Sequence, residues 1–381
     1  MTTQNNRLSR RDFAHLSTVG GAAAFLAGTR AVRGGQQQTP AAQSLPYPYS
    51  NTRAAVSIVK GDSRRKNVYD ALVAIDDQIL PALKRKKYVV IKPNCVTAQA
   101  PNACTDADAV RGALDYLAPR FKGPVVIAES SAAGKTGEAF EALKYGALTT
   151  EFRSQKVSLV DMNEEERHEV INILDPNLHL IPIRLVGRLL DPDAYLLSLP
   201  VAKTHLICVV TLSVKNMVLG APLRQIPPGT KPDANRPAFA VPWNDKWKMH
   251  STYRNANYNM MLVAQKLRPH WGVTVVDAFR GMERNGPVSG IDVDHRVAVA
   301  STDYVAADRV MAEVMGIDPQ TIGHLVYCSQ SGLGQFDPAK IDLRGEKIAA
   351  VRRQYLLPAN IEPLQEWMRP IDEVPTVVPA L

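Results

Sequence analysis

The sequence predicts an α/β fold, a parallel or mixed central sheet flanked by helices on both faces, with a long irregular loop insertion. Three observations carry this. Short runs of continuous apolar residues recur along the chain, as strands buried on both faces require. Segments with helical apolar spacing alternate with them, which places helices over both sides of a sheet. The 381 residues, 45% apolar and 22% charged, are enough to close one large core.

In order, Ala54–Lys60 reads as a strand, and Tyr69, Leu72, Ile75, Ile79 and Leu83 then fall on one helical face. Tyr88–Ile91 is a second strand, Asp106–Leu117 a helix, Val125–Ala128 a third strand and Gly137–Tyr145 a helix. Strands follow near Val157–Val160 and Ala194–Leu199, and Leu206–Leu219 is an apolar stretch of helical length. Residues 220–256, dense in Pro and Asn, form the predicted insertion, where Trp243 and Trp247 are spaced to pack as a local cluster or to wall a ligand. Helix Tyr258–Leu267, strands Val273–Asp277 and Arg296–Ala300, and helix Tyr304–Met315 resume the pattern.

The ends differ in character. Ser9-Arg10-Arg11-Asp12-Phe13 precedes a weakly apolar stretch, Ala14 to Leu26, and so resembles a twin-arginine export signal, with a small-residue site at Thr29-Arg30-Ala31. The expected organisation is a signal peptide (1–31), a flexible linker (32–52), a single α/β domain (53–348) and a tail (349–381) that wraps the surface. The implied partner is the twin-arginine translocase, and the implied location is periplasmic or extracellular. The apolar stretch is too short and too rich in small residues to span a bilayer, so no permanent membrane anchor is expected.

A formal charge of +8 raises the question of nucleic acid. The tightest basic clusters, Arg64-Arg65-Lys66 and Lys84-Arg85-Lys86-Lys87, flank a predicted helix and lack interleaved aromatics, so they read as solvated helix ends. Four cysteines contain no Cys-x-x-Cys pair, which disfavours an iron–sulfur cluster or structural zinc. Cys95 and Cys104 are either one disulfide or separate buried thiols.

The candidate site rests on three lysines, Lys92, Lys203 and Lys215, each embedded in an apolar run where an ammonium is costly unless an anion meets it. They predict a cleft for a small anionic ligand. Lys92 and Asn94 end the second strand, Glu129 and Ser130 the third, and Asn216 follows Lys215. Ends of parallel strands open on the crevice where such folds bind ligands. Asp277 ends a later strand and leads into a polar loop holding Glu283, while Asp106 serves either as an N-cap or as part of the site. Lys92, Lys203, His205 and Asp277 are the expected catalytic groups; Asn94, Asp106, Glu129, Ser130, Lys215, Asn216 and Glu283 are the expected binding groups. His205 and His250 are placed for proton transfer or metal ligation, and Asp106, Glu129, Asp277 and Glu283 offer hard oxygens for Mg²⁺ or Ca²⁺. Glu129 to Thr136 imitates a phosphate loop, but a glutamate where the first glycine belongs would repel phosphate.

Read together, Ile91-Lys92-Pro93-Asn94, Thr105-Asp106, Glu129-Ser130, Leu199 to His205, Thr211 to Asn216, Val276-Asp277-Ala278, Glu283 to Pro287 and Ala300 to Asp308 resemble, in order, the domain-of-unknown-function 362 family. The resemblance implies one α/β domain and no settled activity. Some relatives carry ferredoxin-type cysteine clusters; this chain lacks them, so electron transfer is not implied. Glu129 stands where relatives often have Asp. The function expected is an exported enzyme acting on a small carboxylate or phosphate substrate. The alternatives are a periplasmic solute- or metal-binding protein and an accessory subunit of an exported redox complex.

Overall fold

Alternating β-branched residues in the apolar runs face two buried layers, which is why they settle as strands of one sheet. The computed structural model describes residues 52–225, 243–250, 252–359 and 361–369. The predicted export signal, the linker up to residue 51, residues 226–242 of the predicted insertion and the last twelve residues of the tail lie outside the described residues.

Strand β1 (Ala54–Lys60) leads to α1 (Arg64–Val73), capped by the Ser63 side chain, and α2 (Asp76–Leu83). The single predicted helix is therefore two. Ile75 leaves helical geometry (φ −122°, ψ 24°), and Asp76 and Asp77 begin a new first turn, where negative charge suits the helix dipole. Next come β2 (Tyr88–Pro93), α3 (Ala107–Leu117), β3 (Val125–Glu129), α4 (Thr136–Ala142), α5 (Gly146–Glu151) and β4 (Ser158–Asp161). A separate hairpin, β5 (His168–Leu174) with β6 (Leu180–Val186), precedes β7 (Ala194–Leu199), β8 (Val201–His205), β9 (Val209–Thr211) and α6 (Ser213–Gly220). After α7 (Asp245–Lys248) and α8 (Tyr253–Leu267) come β10 (Trp271–Glu283), β11 (Ile291–Ser301), α9 (Tyr304–Val314), α10 (Gly323–Gln330), β12 (Ile341–Gly345), α11 (Ile348–Val351) and α12 (Ile361–Leu364).

Among the described residues ten strands form the main sheet, in the order β12-β1-β11-β10-β7-β2-β3-β4, with β8 pairing β10 and β9. Strands β10, β7, β2, β3 and β4 are mutually parallel, and β11 runs against both its neighbours. The α/β class read from the sequence is the class observed. One apolar cluster packs α6, α8, α9 and α10 against one face; a second packs α1 to α5 against the other. No helix among the described residues is long and apolar enough to cross a membrane.

Three expectations need correction. Leu206–Leu219 is not one helix: its first part returns as β9 against β8, and only Ser213 onward is helical. The β5–β6 hairpin escaped notice because its strands are half-exposed, with Val170 60% exposed. The segment after residue 349 buries Val351, Tyr355 and Leu364 in the core, so it does more than wrap the surface.

Candidate functional site

The connections of the parallel strands reverse between β2 and β7: β3 and β4 extend the sheet from β2 on one side, and β10 extends it from β7 on the other. The crevice beyond the carboxyl ends of strands at such a reversal is where doubly wound sheets bind ligands. There the register sets Lys92 beside Ser198. Helix α6 seals the seam through Asn216, whose Nδ2 donates to Lys92 O (3.2 Å) and to Ser198 Oγ (3.1 Å).

Lys92 is buried here. Its Nζ donates to Glu129 Oε1 (2.8 Å) and Oε2 (3.0 Å), to Pro93 O (3.1 Å) and to Asn216 Oδ1 (3.2 Å). Glu129 also accepts from the amides of Cys95 (3.0 Å) and Ser130 (2.7 Å). The anion meeting Lys92 is therefore supplied by the chain itself. Expecting Lys92 and Glu129 to present free charge to a ligand is corrected: each satisfies the other. A Cβ on Gly220 would fall 2.0 Å from Lys92 Cε, so the end of α6 is shaped to pass this side chain.

Lys203, fully buried, reaches the loop after β2. Its Nζ donates to Asn94 Oδ1 and Ala103 O, both at 2.6 Å, and to Pro287 O at 3.4 Å. Burial pushes its pKa down to about 7. The three acceptor oxygens oppose that push, because they favour the ammonium. Lys215, 7% exposed on α6, differs: no carboxylate or hydrogen-bond acceptor meets it among the described residues. Burial lowers its pKa, and Cys208 and Lys92 are its electrostatic neighbours.

Two buried histidines, His205 and His324, and the half-buried His250 complete this basic centre, and Lys215 acts electrostatically on each. His205 is held well below its usual range by burial first and then by Lys215; its Nδ1 accepts from the Ile207 amide (3.0 Å). His250 is pushed down to about 4 by burial, and its Nδ1 bonds Lys246 O (2.8 Å). His324 is pushed down to about 3, and neither ring nitrogen has a hydrogen-bond partner. All three rings are neutral at pH 7, which limits the acid role expected of His205.

A fourth lysine was missed by sequence reasoning. Lys246, on α7, is buried and donates to Ser130 Oγ (2.9 Å), Leu219 O (3.0 Å) and Gly220 O (3.2 Å); burial pushes it to about 7. Its neighbours Asp245, Trp247 and Lys248 disguise it as one of a polar, solvated run. Asp308 on α9 was also missed as a cap. It accepts from the amides of Ser213 (2.7 Å) and Val214 (2.8 Å), which closes the start of α6, and burial raises its pKa to about 7.

Beside this centre lies an open cleft of about 420 Å³, with Arg64, Cys104, Asp106, Arg111, Lys144 and Asp277 in its walls. Arg64 bridges Asp106 (2.5 Å) and Asp277 (3.2 Å). Its side chain is only 15% exposed, so the reading of Arg64 as a solvated helix end is corrected; Arg65 and Lys66 do face water. Burial raises the Asp277 carboxyl against the opposing pull of Arg64. Asp106 is also the N-cap of α3, accepting from Asp108 N (2.8 Å), so both of its readings hold. Lys203 links the two regions, coupled electrostatically to Cys104 in the cleft wall and to Lys215.

Glu283 stands apart from these contacts and accepts the Leu356 amide (2.9 Å), which pins the returning tail. The four carboxylates named for a hard cation are thus dispersed: Asp106 and Asp277 share Arg64, Glu129 holds Lys92, and Glu283 holds backbone. Among the described residues no three His, Cys, Asp or Glu side chains gather closely enough to hold a metal ion. The phosphate-loop imitation is spent internally, since the Ser131 amide bonds Thr136 Oγ1 and the Ala133 amide bonds Val96 O. Trp243 and Trp247 pack together, ring centroids 6.2 Å apart.

Fold and site together define a doubly wound α/β protein with a buried, lysine-rich centre at the point where its strand order reverses. The chain belongs to the family described as Domain of unknown function (DUF362), whose model matches residues 89–313. It is 25% identical over 248 residues to a thylakoid-associated protein of Synechocystis sp., covering 64% of this chain and 68% of that one. A solved protein of Thermotoga maritima matches at TM-score 0.40 and 10% identity; the match covers 72% of this chain and 59% of the other.

Proposed function

We propose that this protein is exported already folded and acts as an enzyme on a small anionic substrate, its carboxylate or phosphate group held by the buried basic centre. The observation that carries this reading is Lys215, a lysine only 7% exposed with no counter-ion among the described residues. Such a charge costs several kcal/mol unless an anion meets it, and a bound ligand supplies one. Asn216, one residue on, ties the α6 backbone to the β2–β7 seam, so Lys215 is presented on a rigid element.

Enzymatic action is favoured over simple solute binding by groups set near neutrality around the site. Cys104 and Lys203 both titrate at about 7, and Asp277 is raised, whereas passive binding requires no such tuning. In this scheme Lys215 and Lys203 hold the charge that develops on the substrate, and Asp277 exchanges a proton in the cleft, with Arg64 setting its affinity for that proton.

A thermal-shift panel of inorganic phosphate, phosphate esters and di- and tricarboxylates tests the anion site. At least one ligand raises the melting temperature of the full chain in proportion to the logarithm of its concentration, and Lys215→Met abolishes the shift. Equal responses from the wild type and Lys215→Met would sink the assignment.

A further inference from the structure

Cys95 and Cys104 stand at opposite ends of the loop between β2 and α3, and that loop is closed just beneath them. The Thr105 amide donates to Asn94 O (2.9 Å), and the Asn94 amide donates to Thr105 Oγ1 (2.9 Å). With residues 94 and 105 clamped side by side, the next residue inward on each arm is a cysteine. Cys104 Sγ lies 3.5 Å from both Thr97 O and Ala100 O, inside the curve of the loop. The two thiols act on each other: Cys95 lowers Cys104, and Cys104 adds to the burial that raises Cys95. Both are reduced and buried here, at 1% and 4% exposure, and Cys104 is the one that stands in the wall of the open cleft.

The same loop holds Lys203. Its two shortest hydrogen bonds end on Asn94 Oδ1 and Ala103 O, the residues immediately before Cys95 and Cys104. The loop therefore carries a thiol pair and the principal acceptors of a buried lysine on one closed frame.

We propose that Cys95 and Cys104 form a reversible dithiol–disulfide pair whose state sets the charge and the position of Lys203. The oxidant is a disulfide that reaches the cleft, of the glutathione type. The Cys104 thiolate attacks one of its sulfurs and expels the other as a thiolate, leaving a mixed disulfide on Cys104. Cys95 then loses its proton to the expelled thiolate and attacks Cys104 Sγ, releasing the second thiolate, which takes a proton from water. Two protein thiols lose two electrons, and the oxidant becomes two thiols; a reducing dithiol reverses the sequence. In the reduced state the Cys104 thiolate is a counter-charge to Lys203. The disulfide removes that counter-charge, so Lys203 gives up its proton at lower pH, and the cross-link fixes the loop that carries both acceptors.

The role given to Lys203 rests on the proposed anion site, whereas the thiol chemistry does not. Two measurements keep them apart. The full chain is equilibrated in mixtures of reduced and oxidised glutathione, blocked with iodoacetamide under denaturing conditions and digested for mass spectrometry. The expected product at oxidising ratios is a Cys95–Cys104 disulfide that disappears at reducing ratios, with Cys208 and Cys328 alkylated throughout. Alkylation of both Cys95 and Cys104 at every ratio, or a stable glutathione adduct on Cys104 alone, would overturn the pair. The second measurement follows native alkylation of reduced Cys104 against pH in the wild type and in Lys203→Met. Coupling between charges is reciprocal, so removing Lys203 shifts the Cys104 profile to higher pH and slows alkylation at pH 7 several-fold. Superimposable profiles would break the link to Lys203 and leave the disulfide standing. Failure of every anion in the thermal-shift panel would remove the proposed function without touching either readout.

Discussion

Buried charge is tolerated at this site because each group is met differently. Lys92 and Glu129 are 1% and 3% exposed and bond each other through both carboxylate oxygens. Removing one member of such a pair strands the other, at a typical cost of about 3–5 kcal/mol, while removing both is far cheaper. Lys92→Met and Glu129→Gln should each lower stability by about that amount in urea unfolding. The double variant should lose at least about 2 kcal/mol less than the sum of the singles; strict additivity would mean the pair contributes nothing. Lys203 and Lys246 make a pH-dependent case, since both are pushed to about 7 by burial. Between pH 7 and the ordinary lysine range, the unfolded chain binds protons that the folded chain refuses. Stability from these groups therefore rises with pH across that window, by at most about 1.4 kcal/mol per pH unit for each lysine. Urea midpoints taken from pH 7.5 to 9.5 should climb more steeply for the wild type than for Lys246→Met, and equal slopes would show that Lys246 keeps its ordinary affinity.

Helix α6 joins the site to the sheet. Its first two amides are taken by Asp308 from α9, its middle bonds both strands of the reversal through Asn216, and its last residue is a glycine that clears Lys92. Asp308→Ala leaves two buried amides without an acceptor, which typically costs about 1–3 kcal/mol each. The expected outcome is a loss of that order in chemical unfolding, together with loss of the ligand-induced thermal shift, because Lys215 lies within the first turn that Asp308 anchors. Unchanged ligand response in a destabilised Asp308→Ala protein would show that Lys215 is positioned from elsewhere. The loop after β2 is the second such element, since one pair of hydrogen bonds between Asn94 and Thr105 brings a thiol pair and two lysine acceptors together.

Considered whole, the molecule sends its C-terminal segment back over the sheet: Tyr355 is buried and bonds His295 (3.1 Å), and Glu283 holds the Leu356 amide. Residues near both limits of the described span, such as Ala54 and Tyr355, share one core with its middle, so the site forms only in a folded domain, as the proposed export of a folded protein requires. The Arg10 and Arg11 pair is the sequence feature on which that proposed route rests. Replacing both with Lys should leave full-length precursor in the cytoplasm and deplete the exported pool, measured by fractionation and immunoblotting. Undiminished export of the double-lysine precursor would remove this part of the proposal.

The α/β class was legible because buried parallel strands must be nearly continuous apolar runs, and β1, β2, β3, β7 and the start of β10 are such runs. Lys92, Lys203 and Lys215 stood out for the complementary reason, that a lysine inside an apolar run has no local excuse. Lys246 and Arg64 were not legible, because each sits among charged neighbours and is buried only by what folds over it. The β5–β6 hairpin blurred because one of its faces meets water. Local sequence therefore determined the central buried strands and three of the cations that would be buried. The tertiary structure alone decided which of those cations are neutralised internally, because ion pairing depends on groups brought together from distant parts of the chain. Glu129 lies 37 residues from the Lys92 it satisfies, and no pattern along the chain distinguishes Lys92 from Lys215, which among the described residues meets no carboxylate.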